Sequence, residues 1–207
     1  MYRKTSEHTP RLKLLVGERD HIQGSQDAKV TLLKYGDYQC PYCGEAYGIV
    51  KRVQEKFGSD LRFVFRNFPL TEVHPRAEFG AEIAESASDQ GKFWEMHDYL
   101  YEHQSYLSNE EFFLQYAGSK LGMDAQRIRD EVATHAHLPR IREDFMSGVR
   151  SGVNGTPTFF INDFRHNGDY QFETLVGAIE AALAGNQKKE KIVKALKPRV
   201  TKKTKKK

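Results

Sequence analysis

Cysteine is scarce in this sequence, with only two cysteines among 207 residues, at positions 40 and 43. A single close pair cannot form the disulfide framework of a small secreted protein, and the short loop that it closes would add little stability. Two thiolates are also too few for a zinc site built from cysteines alone. The pair is therefore not a structural framework, and its role is inferred from the residues around it.

Long apolar segments are absent as well. No run of about 18 apolar residues occurs, so the sequence predicts no membrane-spanning helix. Residues 1–9 are polar and lead into no apolar core of a secretory signal, which predicts a cytoplasmic protein if this is the native start. A mature form cut from a longer precursor would have the same sequence apart from Met1.

Negative charge is scarce at the C-terminal end. Residues 186–207 contain eleven Lys or Arg residues and one Glu, whereas the whole chain carries a net charge of +4, so residues 1–185 carry about −6. We interpret this end as a basic disordered tail. It has no aromatic residues for base stacking, so any contact with a polyanion would be weak, non-specific and sensitive to salt.

The first part of the chain contains a strand–helix–strand pattern. Residues 1–28 are polar and predict an N-terminal extension of loop or short helix. Residues 30–35 and 61–68 are rich in β-branched and apolar side chains and predict two strands. The apolar residues between them recur on one helix face, namely Ala46, Val50, Val53 and Phe57. This order indicates a βαβ unit.

Helical patterns fill the middle of the chain, and strands return after it. Residues 71–152 show five helical patterns and are interpreted as a helical insertion. An apolar strand at residues 158–161 and a short partner strand follow, and a closing amphipathic helix ends at Gly185. We therefore predict an α/β domain formed by residues 29–70 and 153–185.

The two cysteines form a CxxC motif at the start of the first helix. Pro41 suits the first helical position, where its missing N–H costs nothing. Cys40 then falls at the N-cap, beside unpaired backbone N–H groups and the positive end of the helix dipole. Both features favour a thiolate, so we expect Cys40 to be exposed and acidic. Cys43 lies one turn later and is expected to be buried, with a near-normal pKa.

A CxxC motif beside a βαβ unit indicates thiol–disulfide exchange. In this chemistry Cys40 attacks as the nucleophile and Cys43 resolves the mixed disulfide. Pro41 and Tyr42 stand between the cysteines and are expected to tune the site. Two other interpretations remain, namely a pair of ordinary buried cysteines and a metal clip that ligands elsewhere in the chain would complete.

A second element of the site precedes the apolar strand at residues 158–161. Pro157 cannot donate to a sheet ladder, which places it at the beginning of a strand, and the Thr156–Pro157 bond is of the kind that can be cis. A cis bond would turn the Thr156 backbone outward as an edge for an extended peptide. We therefore expect Thr156 and Pro157 to bind substrate, and the alternative is a trans proline that simply begins the strand.

Several motifs occur in an order that identifies a resemblance. They are RDHIQG at 19–24, YGDYQCPYCG at 35–44, FRNFPL at 65–70, GKFWEMHD at 91–98 and GTPTFFIN at 155–162. With them, the sequence resembles the DsbA family of thioredoxin-fold oxidoreductases, in particular the bacterial branch sometimes fused to sodium/proton antiporters. The resemblance implies a thioredoxin fold with a helical insertion between its βαβ and ββα halves. It also implies Cys40 as nucleophile, Cys43 as resolving thiol and Pro157 as the cis proline.

One position departs from the family. Relatives usually have an acidic residue six positions before the first cysteine, where it accepts a proton during resolution, whereas this chain has Lys34. One interpretation is that the ammonium group snorkels to water and leaves only its stem in the core. The other is that it remains near the sulfurs, where a cation would stabilise a thiolate and tune the site.

These observations predict a protein dithiol–disulfide oxidoreductase. Its partners would be protein thiols and disulfides and a redox recycling partner. No bound cofactor is expected, because the Cys40–Cys43 pair carries two electrons itself, and the histidines are not aligned for a metal site. Two rival functions are a redox-inactive peptide-binding module and a glutathione-linked transferase or isomerase on the same fold. The intact second cysteine argues against both.

Overall fold

The computed structural model describes the backbone of residues 10–196 and the side chains of residues 10–186. The strands are β1 (His21–Gly24), β2 (Val30–Gly36), β3 (Leu61–Asn67), β4 (Thr158–Ile161) and β5 (Phe164–Arg165). The α-helices are α1 (Pro41–Phe57), α2 (Ala77–Asp89), α3 (Phe93–Glu102), α4 (Glu110–Ser119), α5 (Ala125–Ala133), α6 (Leu138–Arg150) and α7 (Phe172–Leu196). Strands thus flank a helical middle, in the order that the sequence predicted.

The strand β2 lies in the middle of a sheet whose order is β1-β3-β2-β4-β5. β2 and β3 run parallel and are joined by α1, whereas β4 is antiparallel to β2. The predicted α/β class, with a helical insertion between a βαβ half and a ββα half, is therefore confirmed. All seven residues of β2 are buried, so the connection at its carboxyl end leads from the core to Cys40.

Both faces of the sheet are covered by helices. Successive residues of a strand point to opposite faces, and neighbouring residues of β2 belong to different apolar clusters. Leu32 belongs to the apolar cluster that contains Val50 of α1. Its neighbour Leu33 belongs to a second cluster with Phe160, against which Phe145 of α6 packs. The helix that carries the cysteines and the last helix of the insertion therefore lie on opposite sides of the same strand.

The five helices α2–α6 occupy residues 77–150, inside the insertion predicted for residues 71–152. α2 packs on α3, α3 packs on α1, and α6 returns to β3. Trp94 of α3 donates its indole N–H to the carbonyl oxygen of Ile22 in β1 at 3.3 Å. The insertion is thereby attached to the sheet at its edge as well as to the cysteine-bearing helix.

The N-terminal extension contains the edge strand β1, so its prediction as loop or short helix is wrong. Its four residues pair antiparallel with β3, from His21 opposite Phe65 to Gly24 opposite Arg62. Four residues are too few for a recognisable alternation of apolar and polar side chains. The strand therefore depends on its partner, which lies some 40 positions later in the chain.

Helix α7 continues through Gly185, where the sequence analysis ended it, and reaches Leu196. A glycine inside a helix costs only about 1 kcal/mol relative to alanine, and the Gln, Lys and Glu residues that follow are good helix formers. Residues 186–196, which the sequence predicts as part of the disordered tail, are therefore helical. The disorder predicted for residues 197–207 lies outside the described residues. Within residues 10–196, no helix has the length and apolar character needed to cross a membrane.

Candidate active site

Cys40 is the N-cap residue of α1, and Pro41 occupies the start of the helix, as the sequence predicted. The backbone N–H groups of Cys43 and Gly44 donate to the Cys40 carbonyl oxygen at 3.0 and 3.2 Å. Both cysteines are free thiols. The dithiol therefore lies where the first N–H groups of a helix and its dipole favour a negative charge.

Cys40 is less accessible than expected. It is only 2% exposed, so the prediction of an exposed Cys40 is wrong, whereas Cys43 is buried as predicted. The Cys40 thiol lies against a distant loop, where its Sγ donates to the carbonyl oxygen of Thr156 at 3.4 Å. Pro41 and Tyr42 remain exposed beside the pair, and Tyr42 is 58% exposed. A helix position alone does not reveal which distant segment covers a sulfur.

The two thiols differ strongly in acidity. The pKa of Cys40 is lowered to about 6, chiefly by a hydrogen bond with the Cys43 side chain and further by hydrogen bonds with Thr156 and with the Cys43 backbone. Burial and the nearby Asp37 act in the opposite direction. Burial raises the pKa of Cys43 well above its ordinary value. The acidic Cys40 agrees with the sequence prediction. The near-normal Cys43 does not, because its thiol lies in the core, where the charged form is disfavoured.

The loop before β4 lies beside the nucleophile. The Thr156–Pro157 bond is cis, as the sequence predicted, and the Thr156 carbonyl oxygen is the acceptor for Cys40. β4 begins directly afterwards at Thr158, whose hydroxyl donates to the carbonyl oxygen of Gly155 at 2.7 Å. Thr156 and Pro157, predicted to bind substrate, are thus placed at the dithiol.

Lys34 lies beneath the dithiol and is only 1% exposed, so the snorkelling interpretation is wrong. Its ammonium group donates to the Cys43 carbonyl oxygen at 3.0 Å and lies 4.2 Å from the centroid of the Tyr101 ring. Burial lowers the pKa of Lys34 to about 8, while negative charge on Cys43 and Cys40 acts in the opposite direction. A buried lysine amine therefore lies directly beneath the dithiol.

Two polar side chains that the sequence analysis did not select hold the active-site turn. Asp37 accepts hydrogen bonds from the backbone N–H groups of Gln39 at 2.7 Å and Cys40 at 3.2 Å. Gln104, in the turn after α3, donates to the carbonyl oxygens of Tyr38 at 2.7 Å and Cys40 at 3.1 Å. The position of Asp37, just before a helix, is a local signal for such bonding, whereas nothing near Gln104 in the sequence indicates its role.

Two groups of potential metal ligands occur among the described residues, but both lie on the helical insertion rather than at the dithiol. They are Glu78, Glu82 and His135, and Asp89, Glu131 and His137. In each group the histidine is already hydrogen-bonded to a carboxylate, at 2.9 Å for His135 and 3.1 Å for His137. We account for both groups as clusters of hydrogen-bonded side chains within the insertion.

Comparison with solved structures identifies the fold. The structure is similar to oxidised BdbD from Bacillus subtilis, with a TM-score of 0.74 and 21% identity over 86% of this chain and 97% of that chain. It is also similar to alpha-DsbA1 from Wolbachia pipientis, with a TM-score of 0.72 and 18% identity over 85% and 96% of the two chains. A thioredoxin-like oxidoreductase from Silicibacter pomeroyi DSS-3 has a TM-score of 0.69 and 26% identity over 80% and 93%. The predicted thioredoxin fold with a helical insertion is thereby confirmed.

This fold and the dithiol at the start of α1 define a class of protein, the thioredoxin-fold thiol–disulfide oxidoreductases. A family model described as "Thioredoxin" matches residues 17–181, and the chain belongs to this thioredoxin family. The predicted resemblance to the DsbA family is confirmed as well.

Curated relatives carry a similar segment within much longer proteins. The Na(+)/H(+) antiporter NhaA 1 of Salinispora arenicola (strain CNS-205) is 45% identical over 170 residues, which are 82% of this chain and 26% of that protein. The Na(+)/H(+) antiporter NhaA of Herminiimonas arsenicoxydans is 36% identical over 173 residues, 84% of this chain and 27% of that protein. The chain spans about a quarter of the length of these relatives.

Proposed function

We propose that this chain exchanges disulfides with protein substrates through its Cys40–Cys43 dithiol. In the reducing direction, the Cys40 thiolate attacks a substrate disulfide, forms a mixed disulfide and releases one substrate thiolate, which takes up a proton. Cys43 then loses its proton and attacks Cys40, which closes the Cys40–Cys43 disulfide and releases the second substrate thiol. Two electrons pass to the substrate, and the reverse sequence oxidises a substrate dithiol.

The observation that carries this proposal is the difference between two sulfurs one helical turn apart. With a pKa of about 6, Cys40 is largely thiolate at neutral pH, and the thiolate is the attacking species. Cys43 is buried and protonated, so it does not act as a nucleophile before Cys40 has formed a mixed disulfide. The Thr156 carbonyl oxygen beside Cys40 offers a backbone acceptor to an extended substrate segment.

The direction of electron flow depends on the compartment. In the cytoplasm expected from the sequence, thiols are kept reduced, so the pair would rest as a dithiol and act as a reductant with protein disulfides. In an oxidising compartment the same pair would act as an oxidant. Either direction requires a recycling partner that returns the pair to its starting state, and neither requires a bound cofactor.

A trapping experiment tests the proposal. Cys43→Ser leaves the nucleophile but removes the resolving thiol, so it should accumulate mixed disulfides with protein substrates that disappear on reduction. Cys40→Ser is the matched control and should trap none. The wild-type chain should reduce insulin with dithiothreitol as electron source. Trapping by Cys40→Ser alone, or an inactive wild-type chain, would contradict the proposal, and strict dependence on glutathione would favour the transferase alternative.

A further inference from the structure

The carboxylate of Asp37 links the two cysteines to a distant loop. Its side chain is completely buried, and its Oδ1 accepts the N–H groups of Gln39 and Cys40. The Asp37 backbone N–H donates to Cys43 Sγ at 3.5 Å. One residue thus contacts both members of the dithiol and carries a negative charge beside them.

The other oxygen of Asp37 faces the segment after β3. Its Oδ2 accepts a hydrogen bond from the backbone N–H of Leu70 at 2.9 Å and one from the ring Nδ1 of His74 at 2.8 Å. The backbone of this segment is itself closed by a hydrogen bond from the His74 N–H to the Leu70 carbonyl oxygen at 2.8 Å. Because an ionised carboxylate only accepts hydrogen bonds, Nδ1 of His74 is the donor in this contact.

The His74 side chain is 19% exposed, whereas Asp37 is sealed from solvent. The imidazole of His74 therefore reaches solvent while it touches the buried carboxylate directly. Asp37 opposes the thiolate at Cys40 through its negative charge. A protonated imidazole on the far oxygen offsets that charge, and an unprotonated one does not.

We propose that His74 is a positioning residue for the dithiol, which acts through the buried Asp37 carboxylate on the turn that carries Cys40. The Nδ1 donor holds the carboxylate against the Cys40 N–H, and the imidazolium charge stabilises the Cys40 thiolate. The imidazolium therefore favours reduction of the chain's own Cys40–Cys43 disulfide, because that reaction leaves the Cys40 thiolate. This inference rests on the proposed exchange reaction and names a residue that regulates it.

The charged and titratable groups around His74 belong to few elements. Asp37 contacts it from the connection between β2 and α1, and Cys40 and Cys43 follow Asp37 in the chain. Glu72 and Arg76 flank it on its own segment, and Arg76 Nε donates to the Leu107 carbonyl oxygen at 3.1 Å. Asp37 is the group that joins the imidazole to the thiols.

The test is a titration of the Cys40 thiolate in the reduced full-length chain, followed by ultraviolet absorbance. His74→Asn keeps a side-chain N–H donor for Asp37 but cannot become charged, so the Cys40 midpoint should move upward by about one pH unit. Asp37→Asn should move the midpoint downward. Adding His74→Asn to Asp37→Asn should then change nothing further, because the path between imidazole and thiol is gone.

His137→Asn provides the control. His137 also pairs with a carboxylate, at 3.1 Å from Glu131, and is 14% exposed, but it lies on the helical insertion. Its substitution should leave the Cys40 midpoint in place. An unmoved or lowered midpoint in His74→Asn overturns the proposal, even where that variant is less stable or Asp37→Asn fails to fold. Since the titration needs no substrate, it is independent of the trapping experiment, whose failure would count against the exchange reaction alone.

Discussion

Cys40 and Cys43 are close in the sequence but differ in what surrounds each sulfur. The Cys40 thiol has the helix start, the Cys43 thiol and the Thr156 carbonyl oxygen as neighbours, whereas Cys43 is enclosed by the core. The spacing of the motif predicts which cysteine attacks. Its environment determines by how much the two acidities differ.

Selective alkylation follows from this difference. In the reduced wild-type chain at pH 7, iodoacetamide should modify Cys40 first, because only Cys40 is appreciably ionised there. Its rate should fall as the pH drops through about 6. Peptide mapping by mass spectrometry checks the site, and Cys40→Ser, as the control, should react slowly at Cys43. Faster labelling of Cys43 in the wild-type chain would contradict the assignment.

Lys34 makes the stability of the reduced protein depend on pH. Its pKa of about 8 lies below its ordinary value of 10.5, so the unfolded chain binds more protons at this group between those pH values. The destabilisation is therefore fully present below about pH 8 and is relieved as the pH rises toward about 10.5. The cost arises because burial removes the charged ammonium group from water.

Lys34→Met should remove this destabilisation. At pH 7 the variant should unfold with a free energy about 2 kcal/mol higher than the wild type, since apolar replacement of a buried charge is commonly stabilising. The advantage should shrink between about pH 8 and pH 10.5 in urea titrations. Lys56→Met, at an exposed lysine, should change stability by less than about 0.5 kcal/mol. A pH-independent difference for Lys34→Met would show that its charge is not responsible.

At the scale of elements, the approach of α6 to the sheet depends on Gly148. A Cβ atom at this position would lie 2.7 Å from a ring carbon of Phe68 and 3.0 Å from one of Tyr35. Both rings are buried in the second apolar cluster, so neither can move aside freely. The helix can approach the sheet this closely because position 148 has no side chain.

Gly148→Ala should therefore lower the free energy of unfolding by about 1–3 kcal/mol, the usual cost of overfilling a packed core. Gly177→Ala is the matched control, because a Cβ there meets nothing within 4 Å. In the helix α7 this change should be neutral or stabilise by up to about 1 kcal/mol. The midpoints of urea unfolding give the comparison. Equal stabilisation by both substitutions would mean that α6 does not pack as described.

Elements with a long apolar pattern could be predicted from the sequence. β2 and β3 are identifiable from their β-branched and apolar side chains, and α1 is identifiable from the helical spacing of its apolar residues. β1 is not, since its four residues become a strand only through β3. The end of α7 differs from the prediction because one glycine does not end a helix when good helix formers follow it.

At the scale of the whole molecule, the active site combines segments that are far apart in the chain. The motif identified Cys40, Cys43 and Pro157, whose local sequences carry a signal. Gln104 comes from the insertion and reaches the Cys40 turn only through the packing of α3 on α1. His74 lies between β3 and α2 and meets Asp37 through space. Such partners could not be predicted from one sequence, because nothing in their own neighbourhoods indicates the contact.

The charge of the molecule is also unevenly distributed along the chain. Residues 197–207 contain seven Lys or Arg residues and no acidic residue. Deleting them should leave the reduction of a small neutral disulfide within about twofold of the full chain, because every group assigned to the dithiol site lies earlier. Retention on heparin, measured across a salt gradient, should fall sharply. A large loss of activity toward the small disulfide would instead show that this segment contributes to the site.

Trp94 bridges the insertion and the edge strand, and it is the only tryptophan in the sequence. The same side chain lines a small cavity together with Lys34 and His97, close beneath the cysteine-bearing helix. Under excitation that tryptophan alone absorbs, the fluorescence of the chain therefore arises from one side chain at the contact between the insertion and the sheet. Separation of the insertion from the sheet would be visible as a spectral change without any added dye, even if the sheet itself remained intact.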